Sequence, residues 1–316
     1  MRTYVLKRVL SLVPTLVGVT VLVFLMIRLI PGTVVDQMIG TEARASEETR
    51  ASMRAYFGLD QPLHVQYGRW VGGLVQGDFG VSWRNGMSVR QLITDRLSVT
   101  MELAVGALLI SLLIGIPLGI VSAIHEDTWL DHVARLVSLF SLSIPIFWQA
   151  AMLILALSLW FNWVPPVEYA SITRDPVANL KQMVLPMLVL GTVVAAQVMR
   201  MTRASLLEVM RQDFIRTARA KGLADRVVVN RHALKNSLIP IITVIGVQIG
   251  YLLGGAVVTE QVFTLPGVGW LVLNAVYERD YPLIQGTILF IAALFMLSNL
   301  IVDLLYAYLD PRIRYD

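Results

Sequence analysis

Five side chains able to hold a metal or move a proton stand close together in the chain: His125, Glu126, Asp127, Asp131 and His132. A zinc hydrolase would need His-Glu-x-x-His on one helix face, so that both imidazoles reach the ion and the carboxylate activates water. Here the fourth residue after His125 is Trp129, so that signature fails, and the cluster reads as a solvated, helix-capping loop. Nucleotide chemistry fares no better. A phosphate-cradling loop needs Gly-Lys-Ser or Gly-Lys-Thr, and a dinucleotide site needs Gly-x-Gly-x-x-Gly; the chain contains none of these. It also has 0 cysteines, which excludes disulfides, thiolate metal sites and cysteine nucleophiles.

Other polar residues sit in apolar surroundings. Gln149, Gln197 and Gln248 fall inside long uncharged windows. An amide is poorly suited to lipid, so these three either line a path for a polar solute or bond between helices. Arg28 can snorkel from the end of the first window. Glu102 and Glu260 lie near window ends and read as interfacial or structural. Asp303, with Arg312 and Arg314 downstream, reads as a packing or pairing residue rather than a proton relay.

These positions must be held by apolar helices. Hydrophobic residues make up 56% of the 316 and charged ones only 15%, against about 25% in soluble domains. Mean hydropathy is +0.67. Six uncharged windows are long enough to cross a bilayer, which takes about 20 residues: Val9–Ile27, Leu103–His125, Leu136–Val167, Gln182–Met199, Asn236–Thr259 and Tyr281–Val302. The first is too long for a secretory signal core and no small-x-small site follows it, so it is expected to remain as a span. A seventh window, Gln261–Tyr277, is broken by Thr264-Leu-Pro-Gly-Val-Gly. Irregular backbone cannot face hydrocarbon, so this stretch predicts a half-helix or re-entrant element. Pro14, Pro117, Pro145 and Pro186 predict kinks. Gly250, Gly254 and Gly255 predict close packing or a hinge.

Lys and Arg set the orientation. The side holding both termini carries 15 basic residues in its loops and tails, and the short opposite loops carry 3. Both termini are therefore expected in the cytoplasm. The chain divides into residues 1–30 (N-terminus and first span), 31–97 (an outer segment) and 98–316 (a five-helix core with a cytoplasmic loop at 200–238). In the outer segment, Ser46 to Phe57 predicts a short helix, and Gly77-Asp-Phe-Gly and Arg84-Asn-Gly predict turns.

The cytoplasmic loop, taken through Pro240, has 9 basic and 3 acidic residues. Asp213 is placed to cap a helix over Phe214–Lys221, and Gly222 to end it in the left-handed conformation. Asp225 is placed to cap a second helix running toward Leu238, with Pro240 in the first turn of the next span. Phe214, Ala218 and Gly222, four apart, are expected on one face ringed by Arg216, Arg219 and Lys221. By physics alone, this could equally be an amphipathic loop resting on anionic headgroups.

The wording of this loop, Arg203-Ala-Ser-Leu-Leu-Glu-Val, Asp213-Phe-Ile-Arg-Thr-Ala-Arg-Ala-Lys-Gly-Leu and His232-Ala-Leu-Lys-Asn-Ser-Leu-Ile-Pro, is joined by Gly58-Leu-Asp-Gln-Pro-Leu, Gly77-Asp-Phe-Gly, Phe263-Thr-Leu-Pro-Gly-Val-Gly, Arg279-Asp-Tyr-Pro and Asp310-Pro-Arg-Ile-Arg. In these stretches the chain resembles the inner-membrane permeases of ABC importers, within the dipeptide, oligopeptide, nickel and glutathione group, over nearly its whole length. The resemblance implies an all-α, six-helix type I permease fold. It also implies that Asp213, Phe214, Arg216, Thr217, Ala218, Arg219, Ala220, Lys221 and Gly222 form the coupling helix that docks on an ATPase. The general permease pattern there begins with Glu; Thr217-Ala218-Arg219-Ala220-Lys221-Gly222 keeps the Ala and the Gly without it. The group usually reads Pro-Gly-Asp after the first span, and here Pro31-Gly32-Thr33 stands instead, so a role for that acid is not carried over.

The resemblance implies a transport subunit rather than an enzyme. It would have no cofactor of its own, and ATP and magnesium would be bound by partner subunits. The implied partners are a second permease, two ATPase subunits and an extracytoplasmic solute-binding protein, with no nucleic acid. The implied location is a bacterial or archaeal cytoplasmic membrane. Peptide is the first cargo implied, with nickel chelate and glutathione open. An ion-coupled secondary transporter is the competing class; it predicts charges near the midplane repeated in two halves, and few are present.

Overall fold

The computed structural model of the chain describes residues 2–29, 35, 47–56, 58–166 and 168–309. Among these, regular structure is helical apart from one isolated bridge between Val81 and Ser88. The Ser46 cap, the Pro31-Gly32-Thr33 departure and the Asp310-Pro-Arg-Ile-Arg stretch lie outside the described residues.

In chain order the helices are α1 (Arg2–Leu29), α2 (Glu47–Tyr56), α3 (Leu63–Val75), α4 (Val89–Ile124), α5 (Trp129–Ser143), α6 (Ile146–Phe161), α7 (Pro176–Met210), α8 (Asp213–Ala220), α9 (Asp225–Val262), α10 (Val268–Tyr277) and α11 (Tyr281–Leu309). Local chemistry explains several boundaries. Asp175 accepts a hydrogen bond from the Ala178 amide at 3.0 Å, and Pro176 occupies the first turn, so α7 starts there. Asn162, at φ 49°, ends α6.

Among the described residues, five helices are long and apolar enough to cross a membrane: Leu10–Leu29 within α1, α4, α7, α9 and Tyr281–Leu304 within α11. The count becomes six when α5 and α6, bent by 105° at the break between them, are taken as one broken span. The sequence expects a kink at Pro145 inside a continuous span; the chain breaks there instead. Ile144 is extended, as a residue preceding proline prefers, and Pro145 starts α6. Gln149 holds the corner, its Nε2 donating to the carbonyls of Ser141 at 2.9 Å and Ile144 at 3.4 Å. Pro14, Pro117 and Pro186 are accommodated inside unbroken helices.

The chain forms two compact units. Of the described residues, one comprises those in Val99–Gly269 and from Leu297 to Leu309; the other comprises those in Arg2–Ser98 and Trp270–Met296. In the first unit α7 is the enclosed helix. In its span window 67% of residues are buried, against 33% or less in the other spans. It packs on α5, α6 and α9, and α4 crosses it on small residues. A Cβ on Gly115 would lie 2.7 Å from the Ala195 carbonyl, and one on Gly191 would lie 2.7 Å from the Ala107 carbonyl. Only glycine lets the two backbones approach so closely.

In the second unit, Val23, Ile27, Val89, Ile93, Leu271, Ala275 and Ile284 form a buried cluster. The Asp280 carboxylate pins the turn region by accepting from the Ser82 hydroxyl and from the amides of Trp83 and Arg84 at 3.3 and 3.4 Å. Large apolar side chains on the span helices remain exposed, among them Leu22, Leu113, Phe140 and Trp160. Such a surface suits lipid or a partner rather than water.

The interrupted stretch after Glu260 forms a turn and the short α10, as its irregular sequence implies. Glu260 is fully buried and accepts from the Thr100 hydroxyl at 2.6 Å, while that same hydroxyl accepts from the Val268 amide at 2.8 Å. The Glu260 carboxyl occupies the space that a Cβ on Gly267 would need. The structural alternative offered for Glu260 in the sequence is the one observed.

Candidate functional site

The loop between α7 and α9 carries α8, a helix whose ends are fixed by short-range chemistry. The Gly222 amide donates to the Arg219 carbonyl at 2.9 Å and the Leu223 amide to the Ala218 carbonyl at 3.4 Å, with Gly222 at φ 78°. These paired bonds are the Schellman arrangement, and they need a residue that tolerates positive φ.

At the other end, the expected cap is corrected. Asp213 is the first helical residue, the capping position is Gln212 without a side-chain bond, and the Asp213 carboxylate instead meets Arg216 at 3.3 Å. Asp225 is likewise no cap; Ala224 holds that position, and the Asp225 carboxylate accepts from Arg219 Nε at 3.1 Å. The two arms of the hairpin are thereby tied across the Gly222 turn. The boundary expected near Pro240 is also absent. The second arm and the following span are one helix, α9, with a π-helical turn at Val228–Ala233, and Pro240 sits inside it. A proline removes only one amide, a loss that a packed helix can absorb.

The face of α8 that meets its own chain is made by Ile215 and Ala218, three residues apart. They pack with Ala123, Leu206, Val209, Val228, Val229 and Ala233. Full burial of an isoleucine contributes about 1.5–3 kcal/mol, so Ile215 is the anchor that the sequence reading missed. Its signal was present: it is the one large aliphatic residue in Asp213–Ala220. Ala218 was expected beside Phe214 and Gly222; it turns inward, while those two are exposed. Asp213, Arg216, Thr217, Arg219, Ala220 and Lys221 are exposed as well. Thr217 Oγ1 donates back to the Asp213 carbonyl at 3.0 Å.

Beneath the hairpin lies a buried ion pair. Asp131 is fully buried. Arg203 donates to it twice, Nε to Oδ1 and Nη2 to Oδ2, each at 2.7 Å. Ser122 Oγ donates at 2.5 Å and the Asp127 amide at 3.1 Å, and Arg135 Nε lies 3.7 Å away. The pair joins the ends of α4, α5 and α7. This corrects the reading of the 125–132 cluster as a solvated loop: one of its acids is a core residue. Arg203 within a long apolar helix was the available signal, since such a charge requires a partner. Nearby, Glu126 and Arg211 meet at 2.9 Å as an exposed pair, worth at most about 1 kcal/mol. Among the described residues no group of three or more His, Cys, Asp or Glu is placed to hold a metal.

The three glutamines do not converge in one hydrogen-bonded set. Gln149 braces the α5–α6 corner, and Gln197 and Gln248 are half-buried on α7 and α9. Glu102 accepts from Tyr169 Oη at 2.8 Å. Burial, and then this hydrogen bond, push the Tyr169 hydroxyl pKa above its ordinary value.

Apolar helices long enough to cross a bilayer, with an exposed helical hairpin anchored through Ile215 between two of them, define a polytopic membrane protein. The family model described as "Binding-protein-dependent transport system inner membrane component" matches residues 115–315, and its N-terminal companion matches residues 1–104. The chain belongs to this family of importer permease components.

It is 40% identical to the dipeptide transport system permease protein DppB of Alkalihalophilus pseudofirmus, across 100% of both chains. It is 38% identical to DppB of Escherichia coli strain K12, across 100% of this chain and 99% of that one. Among solved structures, the MetNI methionine ABC transporter in an inward-facing conformation matches with TM-score 0.59 and 15% identity, covering 70% of this chain and 97% of that chain. An amino acid ABC transporter matches with TM-score 0.53 and 16% identity, covering 71% and 95%. These two matches show the fold.

Proposed function

We propose that the chain forms half of the translocation pathway of an ATP-driven importer of small peptides, with Asp213–Gly222 as the handle gripped by a separate ATPase. The observation that carries this reading is the division of α8. Ile215 and Ala218 lock one side into the permease, and the opposite side, with Phe214, Arg216 and Lys221, is exposed. A helix anchored in this way transmits a push or pull to α4, α7 and α9 rather than yielding by itself.

Nucleotide and magnesium then belong to two ATPase subunits, and a second permease completes the path. A solute-binding protein docks outside, against residues 31–97 and 261–277. Both termini and the 200–238 loop face the cytoplasm of a bacterial or archaeal cell, following the 15 to 3 basic bias. Full-length identity to dipeptide permeases supports peptide as the cargo.

The test is uptake of a labelled dipeptide into proteoliposomes holding the complete complex. ATP-dependent uptake that stops when the ATPase is disabled supports the reading. Uptake of nickel chelate or glutathione instead reassigns the cargo, and uptake driven by an ion gradient with the ATPase disabled overturns it.

A further inference from the structure

The unit formed by Arg2–Ser98 and Trp270–Met296 carries a half-open cavity of about 770 Å³. Its lining includes two guanidiniums, Arg28 and Arg69, and among the described residues no carboxylate. Gln285, which also lines it, is only 6% exposed, yet its Nε2 has no hydrogen-bond partner among the described residues. The indole Nε1 of Trp70, another lining residue, is buried and likewise without a partner among the described residues. Indole nitrogen can only donate, so both orphan groups ask for an acceptor. A buried donor left without an acceptor is destabilising, a cost that a bound acceptor removes.

The wall is held in place rather than improvised. Arg28 lies over the Phe24 ring at 4.1 Å and donates to Gln66 Oε1 at 2.6 Å. Phe24 in turn stacks on Trp70 at 6.1 Å. Of the five donors on the Arg28 guanidinium, this spends one, and Arg69 stands exposed at the rim.

We propose that this cavity binds an oxyanion, a carboxylate or a phosphate, held by Arg28 and Arg69 with Gln285 and Trp70 as directional donors. Two guanidiniums supply the charge and favour planar or tetrahedral oxyanions that accept in pairs. Gln285 and Trp70 supply the selection against cations and against groups that only donate. Two sources offer this chemistry, the free carboxylate of a small solute and the phosphate of a lipid headgroup. The proposal does not depend on which cargo the importer carries.

The experiment is a tryptophan-fluorescence titration of the full-length chain in nanodiscs. One arm uses phosphatidylcholine discs titrated with Ala-Ala or with its C-terminal amide. The other compares phosphatidylcholine discs with discs containing phosphatidylglycerol. A saturable response to Ala-Ala that weakens at least tenfold for the amide identifies a solute carboxylate. A response that appears only with phosphatidylglycerol, whose phosphate is not neutralised by a choline ammonium as it is in phosphatidylcholine, identifies the phosphate of an anionic lipid headgroup. In either arm Gln285→Leu, which removes an unpaired buried donor and should fold normally, and the exposed Arg69→Gln should each weaken the response about tenfold, the scale of a 1.4 kcal/mol interaction. No saturable response in either arm overturns the proposal, as does an undiminished response in both variants.

Discussion

Arg203 follows Asp131 by 72 positions and closes on its carboxylate with two parallel hydrogen bonds of 2.7 Å. One partner is fully buried and the other 18% exposed, so water screens the pair little. Removing one member strands the other, which costs about 3–5 kcal/mol for a buried pair. Asp131→Asn should therefore sharply lower the thermal unfolding midpoint of the detergent-solubilised chain. Arg203→Met combined with Asp131→Leu should recover much of the loss, because two apolar side chains leave no stranded charge. Equal damage from the single and double variants would show that the charges are not coupled.

Gly222 tests the hairpin by backbone alone. A Cβ there meets nothing within 4 Å, while its φ of +78° is strained for side-chain-bearing residues. Gly222→Val should leave membrane insertion intact and uncouple ATP hydrolysis from uptake, whereas Gly222→Asn, which tolerates this conformation, should retain coupling. The ratio of ATP hydrolysed to solute accumulated is the measurement. Normal coupling in Gly222→Val would remove the hairpin from its assigned role.

Gly119 at the α4–α7 crossing and Gly254 in α9 make an opposite pair of expectations. A Cβ on Gly119 would sit 2.8 Å from the Met199 carbonyl, whereas one on Gly254 meets nothing within 4 Å. Gly119→Ala should destabilise the chain by about 1–3 kcal/mol through overpacking. Gly254→Ala should stabilise it by about 0.5–1 kcal/mol, since alanine is the better helix former. Thermal unfolding of the purified chain reads both, and a neutral Gly119→Ala would show that the crossing can relax.

Tyr169 gives a pH dependence with a defined sign. Its folded pKa is raised by burial and by the hydrogen bond to Glu102. A raised pKa contributes stability that is fully present below the unfolded tyrosine value, about 10. That stability is lost only as pH climbs through the folded value. Tyr169→Phe should thus lower the unfolding midpoint by the same amount at pH 7 and pH 9, with the gap closing only in stronger alkali. A gap that closes between pH 7 and 9 would point to another titrating group.

The sequence alone determined the parts of this protein that repeat or run along one dimension. Uncharged windows marked five continuous spans, while the sixth window broke at Pro145 into α5 and α6, and the broken Thr264-Leu-Pro-Gly-Val-Gly stretch marked the turn before the short α10. Gly222 gave the end of α8, and the wording of the loop gave the family. Tertiary structure decided whatever depends on a partner distant in the chain. Asp131 and Asp213 are alike as letters near helix starts, yet one is fully buried because Arg203 comes to it and the other remains exposed. Ala218 turned inward because Ile215, three residues before it, found Leu206 and Val228 to pack against. Glu260 is buried because Thr100, 160 positions away, donates to it. Periodicity records which residues share a face of one helix, and only the packing of several helices decides what that face meets.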